Sequence, residues 1–116
     1  MGKLAGYEVI AASFAKQGLK HSFGIVGIPV AEIAMFLQAN GVEYYGFRNE
    51  QAAAYAAGIY GYITRTPGLV LAVSGPGMTN CVSGMAEAVI NKRPMICISG
   101  ASDNSLLGKG AFQEID

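Results

Sequence analysis

One carboxylate stands where it could do chemistry. Glu50 lies in the run Arg48-Asn49-Glu50-Gln51-Ala52-Ala53-Ala54-Tyr55-Ala56-Ala57-Gly58. Before it comes a short apolar segment, Val42 to Phe47, that reads as a strand. After it comes a stretch so rich in Ala and Gly that something must pack very close to it. A lone acid at the junction of a buried strand and a small-residue helix can hold or release a proton on a ligand lying over the strand end. An acid is also what any helix favours in its first turn, facing the positive end of the dipole, and this run alone leaves both readings open.

Other catalytic patterns fail on their spacing. Gly75 and Gly77 begin a dinucleotide fingerprint, but Asn80 stands where its last glycine is required. Gly108-Lys109 is followed by Gly110, and Asp103 replaces the first glycine of a phosphate loop. Ala72-Val73-Ser74-Gly75-Pro76 approaches a nucleophile elbow and lacks both flanking glycines. The single histidine, His21, opens a strand, at the opposite edge from the glycine loops, and reads as a strand-end residue rather than a base. Cys81 and Cys97 lack metal-ligand spacing and lie in apolar surroundings, so they read as buried free thiols in a reducing compartment.

The elements that must position Glu50 alternate. Tyr7 to Gln17 has the apolar spacing of an amphipathic helix ended by Gly18. His21 to Val26 reads as a strand, Gly27-Ile28-Pro29 as a turn, and Val30 to Gln38 as a helix with Pro29 suited to its first position. Glu43 to Phe47 is the second strand, and the Ala-rich helix runs from about Asn49 to Thr64. Leu69 to Val73 is a continuous apolar strand, Ser74-Gly75-Pro76-Gly77 a tight turn, Thr79 to Ile90 a helix and Met95 to Ile98 a fourth strand. Apolar runs of this kind read as strands buried on both faces. Their alternation with helices predicts an α/β fold, a parallel sheet with helices on both faces and right-handed crossovers. Ligands bind beyond the carboxyl ends of such strands. Four segments reach that edge: Gly27-Ile28-Pro29, Asn49-Glu50, Ser74 to Gly77, and Ser99-Gly100-Ala101-Ser102. After Ile98 the chain turns irregular and stops without another element, which reads as a C-terminal truncation.

Eight Lys and Arg balance eight Asp and Glu, so nothing points to nucleic acid or a polyanionic partner. No apolar run is long enough for a membrane span, and the N-terminus lacks a secretory core. Charged residues make up 14% of the 116, against about 25% in an average soluble domain, so much of the surface should be covered by other protein.

The motifs then meet a family. Phe23-Gly24-Ile25-Val26-Gly27-Ile28-Pro29, Arg48 to Ala53, Val73-Ser74-Gly75-Pro76-Gly77-Met78-Thr79-Asn80 and Gly110-Ala111-Phe112-Gln113-Glu114 occur in an order and spacing that resemble the N-terminal, pyrimidine-binding (PYR-type) domain of thiamine-diphosphate-dependent enzymes. Within that superfamily the chain most resembles 2-hydroxyacyl-CoA lyase. Oxalyl-CoA decarboxylase characteristically has Tyr-Glu where Phe112-Gln113 stands here. Acetohydroxyacid synthase usually has Tyr-Pro-Gly-Gly where Gly27-Ile28-Pro29-Val30 stands.

The resemblance implies a carbon–carbon lyase that cleaves a 2-hydroxyacyl-CoA to formyl-CoA and a shortened aldehyde, as in fatty acid α-oxidation. The alternatives are a synthase-like or decarboxylase-like enzyme, or a non-catalytic fragment that only associates with full-length subunits. It implies Glu50 and Gln113 as catalytic residues, and Ile28, Pro29, Glu50, Val73, Pro76 and Asn80 as cofactor-binding residues. The cofactor implied is thiamine diphosphate with Mg²⁺, the metal held by a C-terminal domain rather than by any residue here. Residues 1–116 would then be an incomplete pyrimidine-binding domain without its central and diphosphate-binding domains, inactive alone. An acyl-CoA substrate, a homodimer or homotetramer formed through the Ala/Gly-rich helix with the face from Ala52 to Gly61 against a partner, and an intracellular setting complete the expectation. That setting is peroxisomal for a eukaryotic lyase and cytoplasmic otherwise.

Overall fold

The structure is a computed structural model and describes residues 3–115. In chain order its elements are α1 (Gly6–Lys16), β1 (His21–Gly24), α2 (Ala31–Ala39), β2 (Glu43–Gly46), α3 (Glu50–Thr64), β3 (Gly68–Ala72), α4 (Pro76–Ile90) and β4 (Met95–Ser99). The four strands form one parallel sheet in the order β2-β1-β3-β4. The α/β architecture expected from the alternating pattern is therefore the one observed.

Alternate residues of the central strand feed two cores. Leu69 and Leu71 pack with Ala11, Ala34, Leu37 and Val42 under α1 and α2. Val70 and Ala72 pack with Ala53, Ala54, Ala57 and Cys81 under α3 and α4. All five residues of β3 are buried, which is how a strand covered on both faces must read. The other strands depart from that expectation. β1 alternates between half-buried and buried residues, β2 is largely exposed, and β4 is only half-covered. β2 and β4 are the sheet edges, and each lacks a neighbour on one side.

Two helix starts also differ from expectation. α4 begins at Pro76 rather than Thr79, because proline has no N–H to lose in a first turn and its fixed φ is already helical. Pro29 does not open α2. The Val30 N–H donates to the Gly27 carbonyl (2.8 Å), so the turn closes around Pro29 and the helix starts at Ala31. α3 starts where its cap places it: Asn49 is extended and its side chain accepts from the Ala52 N–H at 3.1 Å.

The Ala/Gly face of α3 is used inside the chain. Ala53, Ala54, Ala57, Gly58 and Gly61 are buried, with α4 and the entry to β3 against them. A methyl group on Gly61 would overlap the Pro94 carbonyl oxygen, and one on Gly84 would come within 2.5 Å of Ala54 Cβ. Within the chain, the buried small residues of the face from Ala52 to Gly61 let α3 lie flat on its own sheet and on α4, while Ala52 itself stays exposed. Tyr60 belongs to packing, with its ring 5.2 Å from His21 and 5.6 Å from Phe23. Because the Pro94 backbone cannot swing aside, Gly61→Ala should destabilise the fold by about 1–3 kcal/mol in a urea titration. An unchanged midpoint would show that the contact is looser than described.

Candidate functional site

All four strands point the same way, so the segments after them share one edge. The chain leaves β1 toward β2 on one side and returns to β3 on the other. The β1/β3 boundary is therefore the switch point at which open parallel sheets bind ligands. Val73 sits at that boundary. Its side chain lies between Gly27, after β1, and Gly77, in the first turn of α4. Its carbonyl accepts from Ser99 Oγ at 3.1 Å, which ties the ends of β3 and β4 together.

Glu50 is the first residue of α3 and is half-buried. Its Oε2 accepts from Asn80 Nδ2 at 3.0 Å, and its backbone carbonyl accepts from the Cys81 thiol at 3.7 Å. Its Oε1 lies over Gly77, 3.5 Å from where a β-carbon there would be. Packing of α3 on α4 thus brings Glu50 against Asn80, 30 residues further along the chain, with Pro76 one turn earlier on the same helix.

Gln113, Ile28 and Pro29 form a second group. Gln113 adopts φ 59°, and its backbone carbonyl lies so close over Gly75 that a β-carbon at 75 would overlap it. Gly75 itself has φ 62°, ψ −117°, a conformation open only to glycine. A cavity of about 360 Å³ runs between Ser74, Gly75, Met78, Ser99, Gly100 and Gln113. A second, of about 280 Å³, adjoins it and is lined by Ile28, Pro29, Phe112 and Gln113. Ile28 is 89% exposed, while the Pro29 ring packs against Gly100. Glu50 and Asn80 line neither cavity.

Sequence reasoning missed the side chain that shapes the Gln113 loop. The Glu114 carboxylate accepts from the Gly108 N–H (2.5 Å) and the Ala111 N–H (3.0 Å). The first of these bonds, then the second, holds it below its ordinary value of about 4.5. A depressed value stabilises the loop above pH about 4.5 and is lost as pH falls through the folded value. Limited proteolysis at residues 106–113 should therefore speed up on acidification below that point, and Glu114→Gln should remove the pH dependence. A variant as pH-sensitive as the parent would refute the pin. Ser99 was visible only as part of an edge loop; its bond to Val73 spans 26 residues and no local pattern announces it.

Residues 4–116 match the family of thiamine pyrophosphate enzymes, N-terminal TPP binding domain, and the chain belongs to that family. More narrowly, it is 50% identical over 109 residues to 2-hydroxyacyl-CoA lyase 1 of Dictyostelium discoideum, covering 94% of this chain and 19% of the relative. It is 48% identical over 112 residues to the Homo sapiens 2-hydroxyacyl-CoA lyase 1, covering 97% and 19%. To oxalyl-CoA decarboxylase of Escherichia coli K12 it is 42% identical over 113 residues, covering 96% and 20%. The chain spans about a fifth of the length of these relatives. Among the described residues, no helix is long and apolar enough to cross a membrane.

Proposed function

We propose that this chain is the pyrimidine-binding part of a thiamine-diphosphate-dependent lyase that cleaves 2-hydroxyacyl-CoA to formyl-CoA and a shortened aldehyde. The observation that carries the reading is the Glu50–Asn80 contact over Gly77, at the edge where the strands end. It leaves one carboxylate oxygen over a residue with no side chain, which is room for a flat ring to approach. The residues therefore fit the cofactor.

When bound, thiamine diphosphate supplies an acidic thiazolium carbon and an aminopyrimidine able to take its proton. Glu50 would hold a proton at the pyrimidine ring nitrogen. Asn80 donates to the far oxygen of the same carboxylate and so fixes its rotamer. Pro76 and the end of β3 at Val73, held by Ser99, would wall the ring. Ile28, Pro29 and Gln113 border the neighbouring cavities, and we assign those cavities to the acyl-CoA end of the reaction. The diphosphate and its Mg²⁺ are held by a domain outside these residues. A subunit pair completes the site, and the work is done inside the cell, in the peroxisome and in fatty acid α-oxidation if the organism is eukaryotic.

Decarboxylation of oxalyl-CoA is the second reading, favoured by the 42% identity to that enzyme. Phe112-Gln113 at the second cavity argues against it, since the resemblance puts Tyr-Glu there in such decarboxylases. The whole protein, supplied with thiamine diphosphate and Mg²⁺, should release formyl-CoA and aldehyde from a 2-hydroxyacyl-CoA. Turnover of oxalyl-CoA alone, or condensation of pyruvate, would overturn the lyase assignment.

A further inference from the structure

The polar side chains around the two cavities divide into those already engaged and those left over. Thr79 Oγ1 donates to the Pro76 carbonyl at 3.1 Å, and Ser99 Oγ to the Val73 carbonyl at 3.1 Å. The Asp103 carboxylate accepts from the Ser105 N–H and hydroxyl, and Glu114 from the Gly108 and Ala111 N–H groups. Ser74, Ser102 and Gln113 have no side-chain hydrogen bond among the described residues, and these three are the polar side chains that line both cavities. Away from this shared wall, Met78 and Leu107 give the larger cavity an apolar surface, as Ile28 and Phe112 do the smaller. Ser74 is the fixed member of the three. It is 8% exposed and stands between the end of β3 and Gly75, whose backbone only glycine adopts. A polar group this buried is expected to have a partner. Among the described residues, the side-chain atoms that are both sealed from solvent and unpartnered are His21 Nδ1 and Glu87 Oε2, so the Ser74 hydroxyl still opens onto space, and the space beside Ser74 is the pair of cavities.

We propose that Ser74, together with Gln113, binds the 2-hydroxyl of the substrate and selects hydroxylated over unsubstituted acyl thioesters, an inference that rests on the lyase reading above. A 2-hydroxyacyl-CoA is a polar centre between two arms, the acyl chain and the pantetheine of CoA. Two cavities with apolar surfaces that meet at a polar wall match that shape. The chemistry of the wall favours the hydroxyl over the thioester carbonyl. A serine hydroxyl and a glutamine amide each both donate and accept, as the substrate hydroxyl does, whereas a carbonyl only accepts. A site whose buried polar group is completed by a substrate hydroxyl rejects the analogue without it, because that group is then left unpaired.

The test compares a 2-hydroxyacyl-CoA with the unsubstituted acyl-CoA of equal chain length on the whole protein, supplied with thiamine diphosphate and Mg²⁺. Ser74→Ala should lower kcat/KM for the hydroxylated substrate about 10-fold, the worth of one net hydrogen bond, and leave the inhibition constant of the unsubstituted acyl-CoA within about twofold. The urea midpoint should hold, because the hydroxyl has no partner in the fold to lose. Equal weakening of both ligands would place Ser74 on the thioester or the CoA arm and overturn the assignment. No change with either ligand, or a lower urea midpoint, would make the hydroxyl idle or structural and overturn it as well. A parent enzyme that does not turn over the hydroxylated substrate would sink the lyase reading by itself. Calorimetry with the same two ligands then still reads Ser74: the parent should bind the hydroxylated one more tightly, Ser74→Ala should bind both alike, and a parent without that preference would end the proposal.

Discussion

Glu50→Gln in the whole protein should lower turnover by about 10²- to 10⁴-fold, the span that one positioned proton-transfer group contributes. The amide keeps the shape of the carboxylate. It can still accept from Asn80 Nδ2 through its oxygen, and the Asn49 cap is untouched, so the fold should be unchanged by circular dichroism. What it cannot do is share a proton with a ring nitrogen. Asn80→Ala separates positioning from chemistry. It leaves the acid in place and frees its rotamer, so it should cost less than Glu50→Gln and act mainly on the cofactor concentration needed for half-maximal rate. A Glu50→Gln enzyme with full activity would sink the role given to this residue, and the lyase reading could still stand on product analysis.

The order of elements was legible in the sequence because helical and strand spacings differ and Gly or Pro marks most of the joints. Leu69 to Val73 could be read as a buried strand from composition alone, and β3 is buried throughout. β2 could not be placed at an edge, because Tyr44 and Tyr45 are apolar enough for a core, and only the sheet order shows that they have a neighbour on one side. In the site, Glu50, Pro76 and Asn80 were legible as candidates, yet their meeting depends on α3 packing against α4, a contact between residues 30 apart. Glu114 stands out in the sequence only as the end of a motif, and its work is backbone capture within a loop that has no repeating pattern. Pro29 misled because proline before an amphipathic run usually opens a helix, and here the Gly27–Val30 turn closes first.

The second large effect separates the two faces of α3. Its small-residue face is filled by α4 and the sheet, and its opposite face carries Tyr55, Ile59, Tyr62 and Ile63, from 38% to 71% exposed. α4 adds exposed Val82, Val89 and Ile90. Large apolar side chains at this density on helices already packed on their other side are what a protein–protein interface looks like before its partner arrives. If the proposed subunit pair forms on this face, Ile59→Lys/Ile63→Lys should convert the oligomer to monomer in sedimentation while the urea midpoint of the monomer stays put, since neither side chain is in the core. Activity should fall with the mass, because a shared site is lost when subunits part. Ala53→Val should do the reverse, lowering the stability read from a urea titration by about 1–3 kcal/mol through overpacking before it touches the mass. A lysine pair that leaves the mass intact would move the interface elsewhere, and an Ala53→Val protein that dissociates while remaining fully stable would return it to the small-residue face.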